Sequence, residues 1–248
     1  MKKIILSILC ICVLSIQVLM AQLKTNDNEA KEAREQVTDK FIVDIFHDLW
    51  QDVPPGVDLR AIQQGISLSA MYNINLFESN FSVAAGLGIS CHNLYSNAVP
   101  TRNFQDVNDP IISAKTIFVS LNQYYNKEID YDRNKLSLTY LEIPMEFRFK
   151  TNPVNDRPFR ISLGAKVSYN INNHTKYKGE DVVENTNETI ILKKHNIPGI
   201  ADWSYGVFAR IGYGHFNLYA AYSLSKIFKE DEGPQIYPIS IGLAIIPF

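Results

Sequence analysis

The chain has little cysteine and no excess of charge of one sign. Three of its 248 residues are cysteines, and 24 lysines and arginines nearly balance 26 aspartates and glutamates. Two of the cysteines, Cys10 and Cys12, lie in an apolar stretch near the N-terminus, which leaves Cys91 as the single thiol of the remaining chain. An internal disulfide is therefore excluded there, and nucleic acid is not expected as a partner because no basic cluster is evident.

Long hydrophobic runs are also lacking, with one exception. Residues 4–19 are continuously apolar, follow Lys2 and Lys3, and precede Met20-Ala21-Gln22. This arrangement is typical of a secretory signal peptide, so we predict a signal over residues 1–21 with cleavage after Ala21. No second run is long enough for a membrane-spanning helix.

What the sequence does contain is long alternation of apolar and polar residues. Between Phe159 and Ile171 every second residue is apolar, and the residues in between are small, polar or charged. Since successive side chains of a strand point to opposite faces, this pattern predicts a strand with one apolar face. Its length of about 13 residues exceeds the ~5–6 of most globular strands and suits a tilted crossing of a bilayer.

Seven other segments show the same alternation. They are residues 41–50, 63–74, 81–90, 136–150, 203–213, 216–223 and 237–248. In the first of them, Phe46 and Trp50 share the acidic face. In residues 136–150 the apolar positions change parity, which predicts a β-bulge near Tyr140, and an inward Pro144 requires that strand pairing be broken locally.

The connections between these segments alternate in length. Those after the second, fourth and sixth are short. Residues 92–134 and 173–202, in contrast, are polar, and we predict them as long loops of roughly 43 and 30 residues. This asymmetry is typical of outer-membrane barrels. The sequence therefore predicts an all-β, eight-stranded antiparallel up-and-down transmembrane β-barrel over residues 41–248, located in the outer membrane, with residues 22–40 as a polar periplasmic tail. Aromatic residues near strand ends indicate interfacial girdles; they are Tyr72, Phe81, Phe159, Trp203, Tyr213, Phe216 and Tyr237.

Charged residues at inward positions are expected to form a network in the lumen. They are Asp44, Asp48, Glu142, Glu146, Arg148, Arg160, Lys166 and Arg210. The interior of an eight-stranded barrel is just wide enough for side chains to fill, and an unpaired charge there is costly. We interpret the set as a structural charge network; a proton or ion path is the alternative.

The histidines raise an enzymatic alternative, since small outer-membrane barrels include lipid A acyltransferases and deacylases that use His with Ser or Asp. His47 and His92 are expected near the outer rim, with Ser67, Ser69 and Ser90 on neighbouring strands. Spacing alone does not pair a nucleophile with its base, and no His-Glu-x-x-His spacing occurs. We assign no catalytic, cofactor-binding or metal-binding residue; His174, His195 and His215 are predicted in loops and turns.

Three segments carry a resemblance to a known family. Tyr140-Leu-Glu-Ile-Pro-Met-Glu-Phe-Arg-Phe149, the strand with Gly164-Ala-Lys166 and the closing Tyr-Pro-Ile-Ser-Ile-Gly run resemble the PorT-like outer-membrane β-barrel family, over about residues 41–248. The resemblance implies an eight-stranded outer-membrane barrel, and the founding member of the family is linked to protein secretion.

The function expected from these observations is a non-enzymatic barrel with a structural role or an interaction role through its long outer loops. The alternatives are a lipid A-modifying enzyme and a narrow porin-like channel. The expected partners are outer-membrane lipid and lipopolysaccharide, other envelope proteins, and the barrel-insertion machinery, which would read the C-terminal strand ending in Phe248.

Overall fold

The computed structural model describes residues 41–76, 79–102, 115–151, 158–184, 186 and 188–246. The signal peptide and tail predicted for residues 1–40, and the terminal Phe248, lie outside the described residues. The described part contains eleven strands and one short helix. They are β1 (Phe41–Gln51), β2 (Gln64–Asn75), β3 (Phe81–Tyr95), β4 (Ala98–Arg102), β5 (Thr116–Ser120), α1 (Leu121–Tyr125), β6 (Tyr131–Lys150), β7 (Phe159–Glu180), β8 (Thr189–His195), β9 (Trp203–Tyr213), β10 (Phe216–Ser223) and β11 (Tyr237–Ile245).

Eight of the strands close into an antiparallel barrel. Around the ring the order is β1, β2, β3, β6, β7, β9, β10 and β11, and β11 pairs with β1 to complete it. Closure leaves no unpaired backbone edge around the ring, which a hydrocarbon environment requires. The prediction of an eight-stranded up-and-down barrel is therefore confirmed. No helix within the described ranges has the length and apolar character of a membrane span.

Side-chain alternation decides which face of the barrel wall is apolar. In β1, Asp44 and Phe46 are buried in the lumen, whereas Ile45 between them is 53% exposed. The same alternation in the other strands places an apolar belt on the outside. Its members include Leu49, Ile66, Leu68, Leu87, Ile89, Leu141, Ile143, Met145, Phe147, Leu163, Val167, Val207, Ile211, Leu218, Ile241 and Leu243. So extensive an apolar exterior fits a lipid environment.

The barrel has two unlike ends, which we call the short-turn end and the long-loop end. The short-turn end carries the connections after β2, β6 and β9, and the long-loop end carries the others. The aromatic residues predicted for the girdles lie near strand ends, on the outer face. Tyr72, Phe81, Phe159, Tyr213 and Phe216 are at the short-turn end, and Trp203 and Tyr237 at the long-loop end.

Two local irregularities in β6 have the positions predicted from the sequence. The pairing of β6 with β7 shifts register between Thr139 and Tyr140, which is the expected bulge. Pro144 is buried in the lumen, and the pairing of β6 with β3 is interrupted beside it, between Met145 and Glu142. The missing N–H of proline therefore falls where no ladder bond is made.

The two segments predicted as long loops contain further regular structure, so that prediction was wrong in part. β3 continues to Tyr95 and β6 begins at Tyr131, and between them lie the β4–β5 hairpin and α1. β7 continues to Glu180 and pairs with β8. We call the sheet formed by residues 131–138, 173–180 and 189–195 the extension sheet. Its alternation is hard to recognise because an outer face in water carries polar residues rather than the apolar ones of the belt.

Candidate functional site

The lumen is filled by side chains in layers that follow one another along β1. Asp44, Phe46, Asp48 and Trp50 all point inward and belong to successive layers. We call these, from the short-turn end, the first charge layer, the aromatic layer, the second polar layer and the apolar plug. Their contents determine what the barrel interior can do.

The first charge layer is centred on Arg210 of β9. Its Nε and Nη2 donate to Asp44 Oδ1 and Oδ2 at 3.0 and 2.8 Å, and its Nη1 donates to Glu146 Oε2 at 2.8 Å. Glu146 also accepts from Arg148 Nε at 2.7 Å. All four side chains are buried. Two guanidinium groups and two carboxylates thus neutralise one another, and the bidentate pair ties β9 to β1 across the lumen.

The aromatic layer lies directly against this cluster. The Arg210 guanidinium carbon is 4.6 Å from the ring centroid of Phe208 and 5.3 Å from that of Tyr219, and Phe46 packs on Tyr219. The bulk of Phe46 requires a small neighbour, because a Cβ on Gly65 would lie 2.0 Å from Phe46 Cε2. Lumen glycines therefore make room for the rings that close the interior.

The second polar layer contains two carboxylates, each with several donors. Glu142 Oε1 accepts from Lys166 Nζ at 2.8 Å, from Ser90 Oγ at 2.7 Å and from Ser168 Oγ at 3.3 Å. These donors come from β3 and β7, the two strands that flank β6. The charge of Glu142 is therefore balanced by one ammonium group and solvated by two hydroxyls.

Asp48 is the other carboxylate of this layer. Its Oδ2 contacts His92 Nδ1 at 2.9 Å, and its Oδ1 accepts from Ser240 Oγ at 2.6 Å. His47, in contrast, points outward and its Nδ1 accepts the N–H of Gln63 at 2.9 Å. The two histidines therefore lie on opposite faces of the barrel wall.

All eight residues predicted for the lumen network lie in the barrel interior, but not in one cluster. Asp44, Glu146, Arg148 and Arg210 form the first charge layer, and Glu142, Lys166 and Asp48 belong to the second polar layer. Arg160 lies apart, at the short-turn end, where its Nη1 donates to the carbonyl of Gly214 at 3.3 Å.

The remaining histidines lie outside the lumen layers. The prediction of loop positions for His174 and His195 was wrong, because they face each other in the β7–β8 pairing with ring centroids 5.2 Å apart. His215 is in the turn after β9, as predicted, and its Nδ1 is 2.9 Å from the carbonyl oxygen of Ile246. Within the described ranges, no group of three or more His, Cys, Asp or Glu residues is arranged to hold a metal ion.

The apolar plug closes the long-loop end of the lumen. It consists of Trp50, Leu94, Leu136, Leu138, Tyr140, Ile197, Ile200, Ile227, Phe228 and Ile236. Half of these residues come from the connections between β8 and β9 and between β10 and β11. The Ile200–Phe228 bridge and the bond from the Ala201 N–H to the Ile227 carbonyl at 2.9 Å hold these two connections together. Sequence reasoning missed them, because isolated apolar residues in polar connections give no periodic signal.

A small cavity lies between the plug and the second polar layer. Its volume is about 30 Å³, and it is lined by His92, Tyr140, Glu142 and Lys166 among others. Room for about one water is sufficient to solvate these polar groups but not to hold a lipid or a sugar. In the described part of the chain, the lumen at this level is therefore packed, and its charged groups have partners of opposite charge.

The family comparison agrees with this architecture. A family model described as "Outer membrane protein beta-barrel domain" matches residues 61–229. None of the curated protein sequences matches the chain. Among solved structures, Ail, the attachment invasion locus protein of Yersinia pestis, is similar at 12% identity with a TM-score of 0.29, over 83% of this chain and 96% of that one. A mutant of the Rh. blastica porin is similar at 8% identity with a TM-score of 0.21, over 83% and 98%. Since the family model covers more than half of the sequence, the chain belongs to the outer membrane protein beta-barrel domain family.

Proposed function

We propose that this protein is a non-conducting, non-enzymatic barrel of the outer membrane that presents the structures at its long-loop end to other envelope components. The observation that supports the first part is the layered lumen, in which Arg210 bridges Asp44 and Glu146 below a plug of ten apolar residues. A solute path would require that these layers separate, at the cost of exposing buried charges that now satisfy one another.

The interaction role is supported by the structure at the long-loop end. Connections that served only to link strands would need few residues, yet here the β4–β5 hairpin, α1 and the extension sheet pack into a folded layer. Tyr177 of β7 is buried against Leu121, Ile129 and Val182 in a core of this layer. A separate hydrophobic core makes a surface of fixed shape, which is what recognition by a partner requires.

Conductance in planar bilayers tests the closed lumen. We expect no single-channel events from purified, inserted protein at either polarity, because the charged and apolar layers leave no continuous water column. Insertion is verified in the same preparation by protection of the barrel strands from added protease. Reproducible unitary conductance from verified insertions would contradict the proposal.

Site-specific photo-cross-linking in cells tests the interaction role. Tyr124 of α1 is 48% exposed and Ile191 of β8 is 56% exposed, so a photoreactive amino acid at either site faces a partner without disturbing a core. The matched control is Leu163, which is exposed on the lipid-facing belt. We expect a discrete protein adduct from the first two sites and none from Leu163. Absence of adducts at Tyr124 and Ile191 would contradict the interaction role.

The resemblance to the PorT-like family adds a finer version of the same proposal, an accessory role in protein secretion. It rests on the Leu141-Glu-Ile-Pro144 segment and its neighbours. Comparison of the secreted proteins of a deletion strain and its complemented parent tests it, and unchanged secretion would remove this version while leaving the interaction role intact.

A further inference from the structure

One face of the extension sheet concentrates positive charge. In the strand register, Lys135 of β6 lies opposite Lys176 of β7, which in turn lies opposite Lys193 of β8. In the same register Arg133 lies opposite Lys178. Because alternate residues of paired strands share a face, these five cations project from one side of the sheet.

This face points outward, away from the axis of the barrel. The opposite face carries Tyr177 and Leu192, which pack in the core formed with α1 and with Val99 of β4. Lys135 also follows the outward parity of Tyr95 in β3, with which it pairs. The basic side is therefore the continuation, beyond the lipid belt, of the outer surface of the barrel wall.

A sixth cation is held beside the sheet by a buried amide. Arg60 belongs to the connection between β1 and β2, and its backbone N–H donates to the backbone carbonyl of Tyr95 at 3.0 Å. Gln63 is 2% exposed; its Nε2 donates to the carbonyls of Arg60 and Tyr95, both at 2.8 Å, and its Oε1 accepts the N–H of Tyr95 at 2.6 Å. The position of Arg60 next to β3 is thus fixed by buried hydrogen bonds.

Between this connection and the sheet lies a groove of about 390 Å³. It is lined by Arg60, Ala61, Ile62, Gln64, Tyr95 and Arg133. The Arg60 guanidinium carbon and the Lys135 Nζ lie 6.0 and 5.4 Å from the centroid of the Tyr95 ring. Arg60 Nη2 donates to the carbonyl of Asp132 at 2.8 Å, which holds this guanidinium group at the groove. Its remaining donors and those of Arg133 suit phosphate oxygens, with the Lys135 ammonium group alongside.

Three lysines elsewhere at the long-loop end are already paired. Lys115, Lys226 and Lys229 each pair with a carboxylate, from Asp231, Asp52 and Asp202. On the basic face, Lys178 pairs with Asp132 at 2.6 Å. For Arg133, Lys176 and Lys193, the described part of the chain provides no carboxylate at ion-pair distance. Asp132 is also within electrostatic reach of Arg60 and Arg133, but its single charge does not balance the six cations. The excess of like charge in adjacent strands favours an external anion.

The groove also has an apolar side that continues into the belt. Ile62 is 63% exposed at its border, and Ile66 and Ile89 are exposed on β2 and β3 below it. Cys91 lies at the margin of the belt on the long-loop side, and Tyr95 is only about 13 Å farther along β3. Cations above and lipid-facing side chains below match an amphiphile with an anionic head and acyl chains.

We propose that Arg60, Arg133 and the neighbouring lysines bind the phosphate groups of a phosphorylated glycolipid in the outer leaflet, with the acyl chains of that lipid against the apolar belt. The proposal rests on the outer-membrane location and is independent of the interaction role proposed above. Charge complementarity favours this occupant over an uncharged sugar, and continuity with the belt favours it over a free anion.

Binding to lipid in nanodiscs tests the proposal. The full chain is inserted in phosphatidylcholine nanodiscs, and binding of added diphosphoryl lipid A is compared with binding of fully dephosphorylated lipid A. We expect the first to bind more tightly and its affinity to fall with rising salt, because the phosphates carry the recognition. Equal affinity for the two lipids, or displacement of lipid A by inorganic phosphate at equal concentration, would overturn the proposal.

Three double variants locate the site. Arg60→Gln with Arg133→Gln removes both guanidinium groups from the groove, and we expect at least about a tenfold loss of affinity for diphosphoryl lipid A. The control, Lys115→Gln with Lys229→Gln, removes the same charge from exposed lysines that are already paired. Arg60→Lys with Arg133→Lys keeps the charge and should recover part of the affinity. Equal losses in the groove variant and the control would refute a defined site.

Discussion

At the level of single residues, the charged side chains in the lumen form hydrogen-bonded ion pairs between strands that are far apart in the chain. Arg210 and Asp44 are joined by two hydrogen bonds although 166 positions separate them. A buried ion pair does not by itself contribute much net stability, since both groups lose their hydration. Removal of one partner is costly, however, because the remaining buried charge is neither paired nor hydrated.

Arg210→Met should therefore destabilise the barrel strongly. We expect the free energy of unfolding to fall by about 3–5 kcal/mol, because the buried carboxylate of Asp44 loses its bidentate partner. Equilibrium unfolding by urea in lipid vesicles measures the change. The double variant Arg210→Met with Asp44→Leu removes both charges and should recover much of the loss; a double variant as unstable as the single one would contradict this account.

Asp181, just after β7, gives the long-loop layer a dependence on pH. The N–H of Glu184, the Thr186 hydroxyl and the N–H of Val183 donate to its carboxylate, and they lower its pKa from 3.8 to about 2. Because the folded pKa lies below the ordinary value, the stabilisation is complete above about pH 4 and is lost as pH falls through about 2.

Hydrogen exchange of the Val183 and Glu184 amides at different pH values measures this effect, after correction for intrinsic exchange rates. We expect protection relative to the unfolded chain to persist near pH 4 and to disappear towards pH 2. Asp181→Asn keeps one acceptor oxygen but no charge, and it should show weaker protection without this pH dependence. A wild-type protection factor that stays constant across the window would disprove the assignment.

At the scale of elements, the sequence predicts those parts of a strand that touch lipid and misses those that do not. The belt segments of β6 and β7 alternate clearly, with Leu163 and Val167 outside and Ser168 inside, so the sequence predicts both strands. Their outer continuations alternate between lysines and residues such as Thr175 and Tyr177, a contrast that a hydrophobic pattern does not register. The bulge at Tyr140 was predictable because the belt lies on both sides of it and the parity changes visibly.

The candidate site was predictable to a similar extent. Inward charges could be identified from strand parity, since a polar residue between two belt residues must face the lumen. Which charges meet could not be identified, because the contacts of Arg210 with Asp44 and Glu146 depend on the strand tilt and on side-chain reach across the ring. The basic face was missed for a different reason, since it requires the pairing of β6, β7 and β8, which periodicity did not reveal.

Gln63→Ala should loosen one element while leaving the barrel intact. The substitution removes the amide that holds the β1–β2 connection to Tyr95, at about 1–3 kcal/mol for the backbone groups left without partners. We expect faster hydrogen exchange in residues 52–62 and unchanged exchange in the belt strands. The neighbouring Gln64→Ala is the matched control, because Gln64 is exposed. Similar exchange profiles for both variants would show that the Gln63 side chain does not hold the β1–β2 connection in place.

At the scale of the whole molecule, the interior is closed by independent barriers in series. The apolar plug faces the long-loop end, and the aromatic layer and the first charge layer lie beyond the second polar layer. The plug excludes water by packing, whereas the charge layer excludes solutes by hydrogen-bonded side chains that span the lumen. Loss of one barrier should therefore change access from one side without opening a path through the barrel.

Weakening the plug tests this arrangement. Phe228→Ala with Ile236→Ala removes two buried plug side chains, and Ser168→Cys in a Cys91→Ser background reports access to the cavity below. Because removal of a buried Phe costs about 3–5 kcal/mol, opening of the plug should become at least about tenfold more frequent. Labelling of the new thiol by a water-soluble reagent added at the long-loop side should therefore become faster. Bilayer conductance should stay absent, because the aromatic layer and the first charge layer remain. Labelling at the unmodified rate would mean that the plug does not control access, and conductance in this variant would mean that the inner layers are no barrier.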